Sequence, residues 1–210
     1  MPSSRAPSDA APALPGEFLR YLDVLEKAYL AESDPIRGSG FAGGPERWRR
    51  EREPLLDAVE GDGDLLDVGC ANGYLLECLV EWARERGSEL VPYGVDNGAR
   101  LIERARTRLP HRASHFFVGN AWDWPPPRRF HYVYTLYDCV PRSHLDRYLR
   151  RLANDVVAPA GRLIVGAYGS RSRGHAPFDV RGGLERAGFR VAGESSGGEP
   201  PIALFAWTDV

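Results

Sequence analysis

Asp64-Leu65-Leu66-Asp67-Val68-Gly69-Cys70-Ala71-Asn72-Gly73-Tyr74 reads as a short buried strand, a glycine turn and the first residue of a helix. Gly61-Asp62-Gly63 is a turn signal that starts the strand, and the helix runs from about Tyr74 to Arg86. The same alternation continues downstream. Strands are expected over Leu90–Val95, Ser114–Val118, Phe130–Leu136 and Arg162–Tyr168. Between them, Leu101, Ile102, Ala105 and Leu109 stripe one helix, and Leu145, Tyr148, Leu149, Leu152 and Val156 stripe another. Pro159-Ala160-Gly161 reads as a turn, and 178–187 as a last helix. Alternating strands and helices require parallel strands with right-handed crossovers and helices on both faces. Arg190–Glu194 and Ile202–Thr208 are separated only by a Ser/Gly/Pro loop, which suits a closing antiparallel pair. The expected fold is a three-layer α/β/α sandwich over 61–210, with a mostly parallel seven-stranded sheet.

Upstream, Phe18, Tyr21, Leu22, Leu25, Ala28 and Tyr29 recur at helical spacing. A glycine-rich loop follows at 34–45, and a second helix is expected from Pro45 to about Val59. Residues 16–60 are read as an N-terminal helical lid, and 1–15, small, polar and proline-rich, as a disordered arm.

The chain has 210 residues, 43% hydrophobic and 27% charged, with a formal net charge of −2. These values suit one soluble domain with a sizeable core and give no overall attraction to nucleic acid or membrane. The three cysteines lack metal-ligand spacing, and the five histidines show no H-x-x-x-H. No metal is expected. Nothing in the sequence resembles a signal peptide or a spanning helix, so a cytoplasmic location is expected.

In an open parallel sheet, ligands bind beyond the carboxyl ends of the strands. The turn at 67–73 lies at such an end. A dinucleotide site wants G-x-G-x-x-G/A, but Ala71 stands at its middle glycine and Tyr74 at its last small position. Asp67 at the loop entrance is also awkward for a pyrophosphate. The same carboxylate suits a ligand that carries an ammonium and a sulfonium, as S-adenosylmethionine does.

On these residues the run from Leu65 to Glu77 resembles motif I, [D/E]-x-G-x-G-x-G, of the class I S-adenosylmethionine-dependent methyltransferases. Asp67, Gly69 and Gly73 match it, and Ala71 departs mildly from the middle glycine. The resemblance covers roughly residues 60–208. It implies S-adenosylmethionine as cofactor, S-adenosylhomocysteine as product, and a loop contact through Asp67, Gly69, Ala71, Asn72 and Gly73. It implies that Asp96, in Tyr93-Gly94-Val95-Asp96-Asn97, binds the ribose with Asn97 beside it; the alternative is an aspartate that caps the next helix. It implies that Asn120 and Ala121 border the adenine, Asn120 accepting through its amide oxygen. Trp122 either stacks on that ring or packs in the core. In Tyr134-Thr135-Leu136-Tyr137-Asp138, the stretch bordering methyl and acceptor, Tyr134, Thr135 and Tyr137 are wall candidates, with Thr135 also counted toward the cofactor. Asp138, Tyr137 and His144 are the catalytic candidates; Asp138 either handles a proton or caps a turn, and His144 either acts as a base or starts a helix.

Methyl transfer needs alignment, dryness and, for some nucleophiles, a base, so it requires neither triad nor metal. The expected lid includes 38–48, with Phe41, Trp48 and Arg47, Arg49 and Arg50 reaching toward the cofactor or simply packing and meeting solvent. The expected function is methyl transfer to a small-molecule acceptor. An RNA or protein acceptor and cofactor binding without turnover are the alternatives. The sequence names neither acceptor nor oligomeric state.

Overall fold

A computed structural model describes residues 13–210, so most of the expected N-terminal arm, through residue 12, lies outside the described residues. Seven strands form one sheet: β1 (Gly63–Val68), β2 (Leu90–Asp96), β3 (Phe116–Val118), β4 (Phe130–Leu136), β5 (Val157–Tyr168), β6 (Gly193–Gly197) and β7 (Ala203–Asp209). Their order is β3-β2-β1-β4-β5-β7-β6. The first five are parallel, and β7 runs antiparallel to both β5 and β6. Around them lie α1 (Gly16–Ala31), α2 (Pro45–Arg52), α3 (Tyr74–Glu85), α4 (Ala99–Arg108), α5 (Leu145–Arg151) and α6 (Val180–Arg186).

The period of two along each strand divides the core into two layers. Leu65, Tyr134, Ile164 and Phe205 face one layer, which also holds Leu76 and Leu79 of α3 and Ile102 of α4. Their neighbours Leu66, Val133, Val165 and Ala206 face the other, with Tyr148 and Leu149 of α5 and Leu184 of α6. Leu65, Leu66, Leu76 and Leu79 are fully buried, and each such leucine contributes ~1.5–3 kcal/mol to folding. The sheet is therefore covered on both faces, as the alternating sequence requires.

Several boundaries differ from expectation for identifiable reasons. The second helix stops at Arg52, and Glu53–Ala58 tightens to a 3₁₀ turn where Pro54 cannot donate to an α-helical ladder. Residues 110–115 are likewise 3₁₀, which shortens the third strand to Phe116–Val118. The expected turn at 159–161 is an irregularity inside β5, where the register jumps from Phe130↔Val157 to Tyr132↔Arg162 and Ala160 takes φ 60°. The first strand of the closing pair starts at Gly193, three residues later than expected, opposite Trp207.

At the amino end, α1 has no buried residue. Its apolar stripe roofs a cleft rather than packing into the core. Its C-terminal end is held by Arg104, whose guanidinium donates to the carbonyls of Leu30 (2.7 Å), Glu32 (2.9 Å) and Tyr29 (3.2 Å). Those are the carbonyls a helix end leaves unpaired, and a cation suits that end of the helix dipole. No helix of the described residues is long and apolar enough to cross a membrane.

Candidate functional site

The turn between β1 and α3 is built from left-handed residues at every second position: Gly69 (φ 93°), Ala71 (φ 46°) and Gly73 (φ 75°). Gly69 also accommodates a close approach, since a Cβ there would lie 2.9 Å from Cys139 Sγ. Ala71 carries a side chain in a conformation that costs an L-residue ~1–2 kcal/mol. Its N–H donates to Asp96 Oδ2 at 2.9 Å, which fixes the loop to the end of β2. Asp96 Oδ1 accepts from Gly98 N–H at 2.8 Å, just before α4. The helix-cap role and a ligand role are compatible, because each carboxylate oxygen keeps a second lone pair and Asp96 lines a cavity. Burial raises its pKa, against the two backbone hydrogen bonds that lower it.

That first cavity lies at the carboxyl ends of β1, β2 and β3. Asp96, Asn97, Gly119, Asn120 and Ala121 wall it, and Leu22, Leu25, Glu26 and Tyr29 of α1 roof it. Asn120 Oδ1 already accepts from Trp122 N–H at 2.8 Å. Its oxygen keeps a second lone pair for a ligand, as expected of it, and its amide nitrogen has no partner among the described residues. Glu26 and Tyr29 were not singled out by sequence reasoning, although the helical stripe that contains Tyr29 was.

A second cavity shares Tyr29, Gly69, Ala71, Leu136 and Asp138 with the first. It extends past Asp67 and Tyr134 to Phe41, Trp48, Arg52 and the turn after β5. Asp67 is buried, and its carboxylate has no hydrogen bond or ion pair among the described residues. Burial, and secondarily the charge of Asp96, pushes its pKa up to about 8. A cation beside it would reverse that shift. Asp138 faces both cavities; although the residue is exposed to them, surrounding protein crowds its carboxyl and raises its pKa. Tyr134 Oη lies 3.0 Å from Tyr168 Oη on the cavity wall.

Other expected site residues lie elsewhere. Asn72 is buried; it donates to Pro35 O at 3.0 Å, and its Oδ1 accepts from Ser39 Oγ at 3.0 Å and Tyr74 N–H at 3.1 Å. It clamps the 34–45 loop to the glycine turn and touches neither cavity. Thr135 is fully buried, 2.7 Å from Tyr148 Oη, because strand alternation turns it away from the Tyr134 side. Tyr137 stacks on Phe178 at 4.6 Å, outside both cavities. Trp122 and His144 pack edge to face at 5.0 Å in the opposite core layer, so Trp122 takes the packing role and His144 is not beside the cleft. Of the three named arginines only Arg47 lines the second cavity, bonded to Glu51 at 2.6 Å. Arg49 turns outward to Glu53 and Glu85, and Arg50 is exposed. Arg52 was missed. It is buried, with its guanidinium 4.1 Å from the rings of Phe41 and Tyr168 and 4.4 Å from that of Trp48. The i, i+4 spacing of Trp48 and Arg52 was the available signal.

Residues 65–161 match the family model described as a methyltransferase domain. The trans-aconitate 2-methyltransferase of Rhodopseudomonas palustris (strain HaA2) is 34% identical over 110 residues, 51% of this chain and 40% of the relative. The chain thus spans about two fifths of the length of that curated relative. Two solved structures share the fold. One, a SAM-dependent methyltransferase from Aquifex aeolicus, has a TM-score of 0.61 at 17% identity, covering 85% of this chain and all of that one. The other is the 1,6-didemethyltoxoflavin-N1-methyltransferase of Burkholderia thailandensis, with bound 1,6-didemethyltoxoflavin and S-adenosylhomocysteine. Its TM-score is 0.64 at 18% identity, over 97% of this chain and 93% of that one. Residues 65–161, a stretch that begins inside β1, are thus similar to a methyltransferase domain, and the chain shares its fold with solved methyltransferases that use S-adenosylmethionine.

Proposed function

We propose that this protein transfers a methyl group from S-adenosylmethionine to a small-molecule acceptor. The observation that carries the reading is the pair of cavities joined at Gly69, Ala71, Leu136 and Asp138, one suited to an adenosyl group and the other open for an acceptor. When bound, S-adenosylmethionine supplies a methyl carbon on a sulfonium leaving group. Asp67 fits its ammonium group, since a buried carboxylate without a partner is relieved by a cation. Asp96 and Asn97 fit the ribose hydroxyls, and Asn120 and Ala121 fit the edge of the adenine. Asp138, at the junction, orients the acceptor or takes a proton from it where the nucleophile must lose one. Residues 16–60 act as the lid of the 61–210 domain: α1 covers the first cavity and keeps water from the reacting centre.

A small acceptor is supported by the concave, aromatic-walled second cavity. It is also in keeping with the R. palustris relatives, named for methylating trans-aconitate. The test is calorimetric titration with S-adenosylmethionine and S-adenosylhomocysteine, with reduced nicotinamide cofactor as control. Saturable binding of the adenosyl ligands alone is expected. Binding of the nicotinamide instead, or of neither ligand by folded protein, would refute the reading.

A further inference from the structure

We infer that the acceptor is a small oxyanion, held in the second cavity by Arg171 and Arg173 together with Arg52; this rests on the methyl-transfer reading above. Four guanidiniums line that cavity, those of Arg47, Arg52, Arg171 and Arg173. Asp67 and Asp138 also line the cavity, and besides them Glu51 is the one carboxylate among the described lining residues. Arg47 and Arg52 share it, at 2.6 and 3.4 Å. The end that holds the four arginines and Glu51 is therefore positive, in a protein whose overall charge is −2.

The arrangement is built rather than incidental. Arg52 is buried and caged by Phe41, Trp48 and Tyr168, which fixes the plane of its guanidinium and leaves most of its five donors for partners other than Glu51. Arg171 and Arg173 lie on a tight turn closed by Ser170 N–H to His175 O (2.8 Å) and His175 N–H to Ser170 O (2.9 Å). Arg171 donates to the carbonyls of Glu199 (2.9 Å) and Pro200 (3.1 Å), which orient it without cancelling its charge. Neither Arg171 nor Arg173 forms an ion pair among the described residues. Arg47 and Arg52 already meet Glu51, whereas Arg171 and Arg173 meet no carboxylate among the described residues. The turn after β5 then remains for a second anion, and planar guanidiniums match the paired oxygens of a carboxylate or a phosphate.

The test is calorimetry with tricarballylate, inorganic phosphate and the neutral triamide of tricarballylate, each with and without S-adenosylhomocysteine. An oxyanion is expected to bind, more weakly at high salt, while the triamide does not. The R171Q/R173Q protein should bind that anion about tenfold more weakly or worse, with its affinity for S-adenosylhomocysteine unchanged. Because both residues are exposed, the fold should survive the change; Arg52→Lys, which keeps charge but loses the planar stack, should also weaken anion binding. Preference for tricarballylate over phosphate, or the reverse, identifies the source. No oxyanion binding, or binding undiminished in R171Q/R173Q, overturns the inference. Arginine-dependent anion binding without S-adenosylhomocysteine binding would keep the anion site and sink the cofactor reading instead.

Discussion

Asp96 and Ala71 are joined by a 2.9 Å hydrogen bond from the alanine N–H to the aspartate Oδ2, across the gap between β2 and the glycine turn. One carboxylate thus shapes the loop and lines the first cavity. Asp96→Ala removes a ligand acceptor and frees the loop together. Its expected cost in S-adenosylhomocysteine affinity is ~1–3 kcal/mol. Asp96→Asn, which keeps an oxygen for one of the backbone donors, should lose less. Calorimetry on both variants, with folding checked by circular dichroism, decides it; full affinity in folded Asp96→Ala would remove Asp96 from the site.

Ala71 offers a stability test that does not involve the ligand. Its φ of 46° is left-handed, and a Cβ there costs ~1–2 kcal/mol, partly offset by the ~0.4–1 kcal/mol of extra chain entropy a glycine brings to the unfolded state. Ala71→Gly should therefore stabilise the protein by up to about 1.6 kcal/mol, a rise in Tm of at most roughly 3–6 °C for a chain of this size. Ala71→Val, β-branched at the same φ, should lower Tm. A drop in Tm for the glycine variant would mean that the alanine methyl makes a contact worth more than its strain.

Asp67 links the site to pH. Its pKa is about 8 in the folded protein against an ordinary value of 3.8, because burial disfavours the charged form. The folded state holds this proton more tightly than the unfolded one, so the stability from this group is fully present below about pH 4 and declines as pH rises toward 8, by at most ~1.4 kcal/mol per pH unit. Asp67→Asn should flatten that part of the stability–pH curve, measured by urea denaturation between pH 5 and pH 8. A cationic ligand reverses the shift, so binding S-adenosylmethionine near pH 7 should release up to about one proton. Titrations in buffers of different ionisation enthalpy read that number directly. Proton uptake, or the same release from Asp67→Asn, would rule out Asp67 as the group that meets the ammonium.

The parallel core was legible because each of its signals is local: a glycine turn after β1, aspartate at the end of β2, apolar stripes on α3 and α4. The closing pair was legible as a pair but not in register, since Gly193 faces Trp207 through contacts that no local pattern encodes. At the site, the residues fixed by strand ends, Asp67, Asp96, Asn120 and Asp138, all line one cavity or the other. The ones misplaced were aromatics and hydroxyls, whose chemistry suits a core as well as a pocket. Thr135 and Tyr134 are neighbours, and only the sense of the pleat turns one toward Tyr148 and the other toward the cleft. Arg52 and Arg171 escaped notice because their importance comes from rings and carbonyls far away in sequence.

Arg104 tests whether α1 is a hinged cover. It bonds three carbonyls at the C-terminal end of that helix, while the helix itself buries no residue. Little core packing holds α1, so Arg104→Ala should change global stability by less than about 1 kcal/mol. Locally the effect should be large. Amide exchange in α1 should accelerate while β1, β4 and β5 keep their protection, and S-adenosylhomocysteine should bind more weakly because Leu22, Leu25 and Tyr29 no longer roof the first cavity. Arg104→Lys, one ammonium in place of a fork, should restore only part of the effect. In the native protein the ligand should slow exchange in α1, coupling cover and cavity. If exchange in α1 ignores both the ligand and the loss of Arg104, the helix is a fixed wall, and access to the first cavity must come through the second.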